Sequence, residues 1–244
     1  MDIKELIKKA EQGDFVAMYD LGVCYLNGNG VEKNVERATE LFLVSAESGY
    51  KVAQNRIGYC YEIGCGIQKD LEKAFYWYTK SAEQGYAIGQ YNVGYFYEFG
   101  YFVKEDVFLS AKWYLKSAEN GHKLAQNRIG YCYEFGCGVQ KDLEKAFYWY
   151  NKSAEQGCAE SQCSLGTCYC FGKGVKEDKV KAVELYRLSV EQGYHLAATN
   201  LGICYEFGQG VELNKEKAIY WYKKALELGS TTAKDTLKRL GVKI

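Results

Sequence analysis

Apolar and small side chains recur along this chain at spacings of three and four, in short blocks broken by glycine. Ala53, Ile57, Tyr61 and Gly64 follow the spacing of one helix face, and they predict a first helix of about fourteen residues. Gly64-Cys65-Gly66-Ile67 then breaks the pattern with glycines that tolerate positive φ, so the helix ends there. A second block, Ala74, Trp77, Tyr78 and Ala82, resumes the spacing after Asp70 and stops at Gly85. Asp70 is placed to accept a hydrogen bond from the free amides of the first turn, worth about 1 kcal/mol, and Gly85 to close the last turn. The predicted unit is a helical hairpin.

The hairpin is written six times. Residues 53–62, AQNRIGYCYE, return letter for letter at 125–134, and residues 51–85 differ from 123–157 at only four of 35 positions. Three of those differences, Val52/Leu124, Ile63/Phe135 and Ile67/Val139, keep an apolar side chain; the fourth is Thr79/Asn151. Half of that 72-residue offset, 36, holds from end to end without an insertion. Glycine recurs at Gly13, Gly49, Gly85, Gly121, Gly157, Gly193 and Gly229, and again at Gly22, Gly58, Gly94, Gly130, Gly166 and Gly202. An Asp or Asn column runs Asn34, Asp70, Asp106, Asp142, Asp178 and Asn214.

Such a hairpin cannot bury its own apolar face, so hairpins must stack. The expected fold is therefore all-α, a single α/α solenoid over residues 1–244. Six 36-residue repeats span 14–229, with a capping helix at 1–13 and another at 230–244. The ends support this: AEQG at 10–13 matches AEQG at 82–85, and Thr231 to Leu240 aligns with a first helix in which Lys238 replaces the column glycine. Glycines such as Gly58 are expected to admit a neighbouring helix backbone, and Trp77, Trp113, Trp149 and Trp221 to fill the core.

Charge removes two classes of partner. Thirty-one basic and 31 acidic residues cancel, so no field favours nucleic acid or an anionic membrane. MDIKELIKKAEQGD alternates charge with single aliphatics, unlike a signal peptide, and no stretch approaches a transmembrane span. A soluble, cytoplasmic protein is expected. Five of the ten cysteines, Cys24, Cys60, Cys132, Cys168 and Cys204, form one helical column suited to a small apolar side chain. Cys65 and Cys137 lie in loops, Cys158, Cys163 and Cys170 are singletons, and free thiols are expected throughout.

The string A-x-x-x-L-G-x-x-Y-x-x-G-x-G-V-x-x-D-x-x-K-A-x-x-W-Y-x-x-A-x-x-G resembles the Sel-1-like repeat, a relative of the tetratricopeptide repeat also labelled HCP-like. Ala125, Ile129, Gly130, Tyr133, Gly136, Gly138, Val139, Asp142, Lys145, Ala146, Trp149, Tyr150, Ala154 and Gly157 carry it. The third repeat departs, with Gly100-Tyr101-Phe102-Val103 losing the second loop glycine and Ser110 replacing alanine; the fifth has Leu185 for tryptophan. The resemblance implies a right-handed superhelix with a concave groove and members acting mainly as adaptors or scaffolds. The family's secreted, cysteine-rich branch pairs cysteines within each repeat, a pattern this chain lacks.

Some relatives have been called penicillin hydrolases, and one S-x-x-K occurs at Ser48-Gly-Tyr-Lys51, but neither S-D-N nor K-T-G accompanies it. The only histidines, His122 and His195, follow inter-repeat glycines. Cys60/Cys65 and Cys132/Cys137 lack the paired spacing of structural zinc, and the glycine loops lack G-K-[ST]. No catalytic residue, cofactor or metal is expected. The remaining signal lies on the far side of each first helix, where Asn55, Tyr59 and Glu62, then Tyr91, Tyr95 and Glu98, then Asn127, Tyr131 and Glu134 cluster, with Arg56 and Arg128 at the edge. Tyrosine and asparagine offer large contact area with polar tips. These columns are expected to line a groove that binds a protein or peptide segment. Val52, Ile63, Leu124 and Phe135 flank the same face, and packing on the neighbouring repeat is its competing use. Two alternatives stand beside the scaffold reading: a hydrolase like the labelled relatives, or the regulatory repeats of a longer signalling protein.

Overall fold

Six Asp and Asn side chains start the second helices as the sequence predicts. Asn34, Asp70, Asp106, Asp142, Asp178 and Asn214 each accept a first-turn amide at 2.8 to 3.0 Å. In the computed structural model, which describes residues 2–243, these helices are α3 (Val35–Glu47), α5 (Leu71–Glu83), α7 (Val107–Glu119), α9 (Leu143–Glu155), α11 (Lys179–Glu191) and α13 (Lys215–Glu227). The first helices are α2 (Phe15–Asn27), α4 (Lys51–Ile63), α6 (Ala87–Phe99), α8 (Lys123–Phe135), α10 (Ala159–Phe171) and α12 (His195–Phe207). Each has 13 residues, one short of the expected length. Glycine ends them: Gly64 closes α4 at φ 77°, a left-handed conformation that costs other residues a Cβ clash. Shorter helices α1 (Ile3–Glu11) and α14 (Thr231–Arg239) occupy the predicted capping segments, and no strand occurs among the described residues. The fold is all-α, an α/α solenoid of helix pairs.

The chain forms two compact units, one ending at His122 and the other beginning at Lys123. In the first, α2, α4 and α6 pack on α3, α5 and α7 of their own repeats, while α1, α3 and α5 pack on the first helix that follows. In the second, α8, α10 and α12 pair with α9, α11 and α13, and α9, α11 and α13 pack on α10, α12 and α14.

One ring per repeat fills the space between paired helices. Phe42, Tyr78, Tyr114, Tyr150, Tyr186 and Tyr222 are all buried, each lying against the column glycine of its own first helix. A Cβ at Gly58 would stand 2.8 Å from the Tyr78 ring, and one at Gly202 only 2.5 Å from Tyr222. This corrects the expectation that the glycines admit a helix backbone. They admit an aromatic ring first, although a Cβ at Gly22, Gly94 or Gly166 would also come within 3.1 to 3.3 Å of the carbonyl oxygen of Ala38, Ser110 or Ala182. It also corrects the tryptophan column, which is only half buried. Trp77 and Tyr78 are adjacent and so point about 100° apart around the helix. Only the tyrosine can face the glycine.

The tyrosine brings a hydroxyl into this contact, and the first helix satisfies it. Tyr78 donates to Glu62 at 2.6 Å, Tyr150 to Glu134 at 2.9 Å and Tyr222 to Glu206 at 2.7 Å; Tyr114 donates likewise to Glu98. The pair is lost in two repeats: in the first both members change, to Phe42 with Leu26. In the fifth, Cys170 replaces the glutamate and the Tyr186 hydroxyl lies 3.2 Å from Thr167 Oγ1.

A second tether joins five of the six pairs at the other end, the sixth repeat having Ala225 in that place. Ser45, Ser81, Ser117, Ser153 and Ser189, all fully buried, donate to the carbonyls of Phe15, Lys51, Ala87, Lys123 and Ala159 at 2.6 to 2.7 Å. Beside it, Gln84, Asn120, Gln156 and Gln192 donate to the amides of Gln54, Gln90, Gln126 and Gln162. The end repeats carry Met18 with Ser48 and Ala198 with Leu228 at these places.

Gly58→Ala is expected to lower the unfolding free energy by about 1–3 kcal/mol, because the Tyr78 ring must move out of a filled space. A urea titration followed by circular dichroism reads this as a lower midpoint; an unchanged midpoint would show that the ring can shift freely.

Candidate functional site

The nine residues of the expected groove occupy three kinds of environment. In the first unit, Asn55 accepts a hydrogen bond from Asn92 of the next first helix at 2.9 Å, so it joins α4 to α6. Tyr59 is exposed, and Glu62 is held by Tyr78. Tyr91 is half buried, its ring centroid 4.9 Å from His122, 5.5 Å from Tyr114 and 6.3 Å from Tyr95. Tyr95 lies 4.6 Å from Phe99 and 5.8 Å from Tyr101, while Glu98 is held by Tyr114. In the second unit Asn127 is buried and Tyr131 is exposed with its ring 4.6 Å from Phe135. Glu134 takes the Tyr150 hydroxyl and also an ion pair from Lys173 at 2.7 Å.

The glutamate column is therefore tied to the core, and Tyr59 and Tyr131 carry the exposed surface, Tyr95 between them in the column being half buried. Beside the tyrosines runs a column that sequence reasoning treated only as a flank. Ile63 (52% exposed), Phe99 (46%), Phe135 (57%), Phe171 (63%) and Phe207 (60%) each stand at the last residue of a first helix. They lie four residues beyond Tyr59, Tyr95, Tyr131, Thr167 and Ile203, on the same helix face. Packing on the neighbouring repeat does not cover them. The available signal was positional: an apolar residue directly before the helix-closing glycine in five of six repeats, Asn27 being the exception.

The candidate chemistry is absorbed by packing. Burial raises the Cys60 thiol to about 11 and the Cys163, Cys168 and Cys204 thiols to about 12, so they remain protonated near neutral pH. All ten cysteines are free thiols. Burial first, and the adjacent Glu62 and Glu134 carboxylates besides, push the Tyr78 and Tyr150 hydroxyls well above the ordinary tyrosine range. Ser48 donates to the Val44 carbonyl of its own helix at 2.9 Å, an exposed hydroxyl back-bonded within α3. Among the described residues no three His, Cys, Asp or Glu side chains are grouped to hold a metal, and no helix is long and apolar enough to cross a membrane.

With the geometry established, comparisons add kinship. The protein-family model for the Sel1 repeat matches residues 16–50, 51–86, 87–122, 123–158, 159–194 and 195–230. The crystal structure of c5321, a protective antigen present in uropathogenic Escherichia coli strains that displays an SLR fold, is 36% identical, with a TM-score of 0.88. That match covers 98% of this chain and 51% of c5321, so the chain spans about half its length. A Sel1 repeat protein from Oxalobacter formigenes is 32% identical with a TM-score of 0.78, covering 88% of each chain. A chain of the APC/C hetero-tetramer Cut9-Hcn1, 16% identical with a TM-score of 0.59 over 97% of this chain and 44% of its own, shares the fold alone. No curated protein sequence matches.

At pH 8 iodoacetamide is expected to label Cys65 and Cys137, half-exposed in loops, at least about tenfold faster than Cys163, Cys168 and Cys204, because the thiolate is the reacting form. Peptide mass spectrometry of quenched aliquots gives the order. Equal rates would mean that the second unit opens faster than the reaction proceeds.

Proposed function

Because the chain belongs to the Sel1 repeat family, whose members are generally protein-interaction scaffolds, we propose that it is a non-catalytic scaffold binding partner polypeptides along the exposed face of its first helices. In the first unit this face comprises Tyr59, Ile63, Tyr95 and Phe99; in the second, Tyr131, Phe135, Phe171, Ile203 and Phe207. The observation that carries the reading is the exposed Ile and Phe column, repeated at one structural position beside tyrosines. Aromatic side chains with apolar bodies and polar tips are enriched at protein interfaces and supply their strongest anchors. Balanced charge favours a polypeptide over nucleic acid. Ten free thiols suit a reducing compartment, which supports a cytoplasmic location. The glutamates of the original nine contribute less directly, by fixing the helix that presents the rings.

The test compares the parent with two variants of equal helicity, Tyr59/Tyr95/Tyr131→Ala and Phe135/Phe171/Phe207→Ser. A partner identified with the parent is expected to bind each variant at least about tenfold more weakly, since interface anchors each cost more than about 1 kcal/mol on truncation. Parent-like affinity in both variants would move the binding surface to the second helices or the loops.

A further inference from the structure

A glutamate that holds a buried tyrosine has a second oxygen, and at Glu134 and Glu206 in the second unit that oxygen takes a cation. Glu134 accepts from Tyr150 on Oε2 and from Lys173 Nζ on Oε1 at 2.7 Å. Glu206 accepts from Tyr222 on Oε2 and from Arg239, whose guanidinium reaches Oε1 at 2.7 Å. Lys173 stands 39 residues after Glu134, in the loop of the next repeat. In the first unit the residue 39 positions after Glu62 is Tyr101. Glu62 Oε2 takes the Tyr78 hydroxyl at 2.6 Å, and Glu62 forms no ion pair among the described residues.

The loop that carries Tyr101 differs from its counterparts in backbone as well. Phe102 sits at φ 61°, a conformation rarely adopted by a bulky residue and filled by Gly66, Gly138, Gly174 and Gly210 in other repeats. A Cβ at Gly174 or Gly210 would lie 2.0 or 2.1 Å from the carbonyl oxygen of Leu143 or Lys179. Phe102 does carry a Cβ, so this loop must stand further from Leu71, the residue at the corresponding place. A cleft of about 410 Å³ lies there, lined by Glu62, Ile63, Lys69, Leu71, Tyr95 and Tyr101. Lys69 is exposed and its ammonium makes no ion pair with Glu62 among the described residues.

We propose that this cleft is a socket for an arginine side chain of a partner polypeptide, which supplies to Glu62 in trans the cation that Lys173 supplies to Glu134 within the chain. Charge complementarity carries the assignment: the same carboxylate, in the same helical position and with the same tyrosine bond, already binds an ammonium in one repeat and a guanidinium in another. The Tyr95 and Tyr101 rings, 5.8 Å apart, give the planar guanidinium a surface to stack on, and Ile63 and Leu71 accept its aliphatic stem. Exposed Phe99, whose ring packs on Tyr95 and Tyr101, and Phe102, next in the chain to Tyr101, suit apolar neighbours of that arginine. The inference rests on the scaffold reading and adds the chemistry that one of its sites selects.

The experiment titrates the intact chain with N-acetyl-arginine N-methylamide and with its neutral twin, N-acetyl-citrulline N-methylamide, following the Ile63 δ1-methyl resonance by NMR. The arginine probe is expected to bind about fivefold more tightly than the citrulline probe, and less so as salt is raised. Glu62→Gln, whose amide oxygen can still accept from Tyr78, should erase the difference. Tyr101→Lys, which recreates the Lys173 arrangement, should block the probe from within. Equal binding of both probes, or parent-like selectivity in Glu62→Gln or Tyr101→Lys, overturns the proposal. The two readings fail separately. Probe selectivity with full partner retention in the tyrosine and phenylalanine variants refutes the scaffold face alone, and lost retention without probe selectivity refutes the socket alone.

Discussion

The contact between a side-chain-free glycine and a buried ring fixes the spacing of every helix pair in this protein. Gly58 receives Tyr78 and Gly130 receives Tyr150 with a Cβ allowance of only 2.8 Å, so neither the glycine nor the ring can change alone. Close packing of this kind transmits any added volume to the backbone. The ring's position determines the rest of the polar architecture. Its hydroxyl emerges beside the end of the first helix, where a glutamate one position before the apolar column can reach it. Removing the hydroxyl removes the need for the acid, as Phe42 with Leu26 illustrates within the same chain.

From that contact follows which side chains remain available to a partner. The first helix commits one flank to the ring, its N-terminal carbonyl to the buried serine, and its glutamines to the amide ladder between paired helices. Asn55 is spent on Asn92, and the glutamates on their tyrosines. What is left is the Tyr59 column together with the residue before the closing glycine. That last position is an exposed phenylalanine at Phe135, Phe171 and Phe207 in the second unit, Phe135 packing on Tyr131 of its own helix.

Much of the fold was legible because each feature is local and repeated. The period follows from exact recurrence 36 and 72 residues apart, and the Asp and Asn caps and closing glycines from residues read a few positions apart. The errors arise where two adjacent columns compete for one place. Trp77 and Tyr78 are both large and aromatic, and hydropathy favours the tryptophan; only the facing glycine, across the hairpin, decides for the tyrosine. The groove shows the same limit. Glu62, Glu98 and Glu134 read as groove residues from their spacing alone, whereas their bonds to tyrosines sixteen residues later depend on the angle at which the second helix returns. Exposure of Ile63 and Phe135 likewise depends on how far a neighbouring repeat reaches, which no spacing within one repeat encodes.

Nearly identical repeats differ at the surface because each is completed by the loop of the repeat that follows. Residues 51–85 and 123–157 build the same hairpin down to the same tyrosine–glutamate bond, yet Glu134 is neutralised by Lys173 while Glu62 faces Tyr101 across a cleft. The difference lies wholly in the loop of the following repeat. In a stack, each repeat's surface is completed by its neighbour, so a few loop substitutions diversify a site without disturbing the core that presents it. The third repeat accepts a strained Phe102 where the others keep glycine, and beside that loop Glu62 holds its tyrosine and forms no ion pair among the described residues.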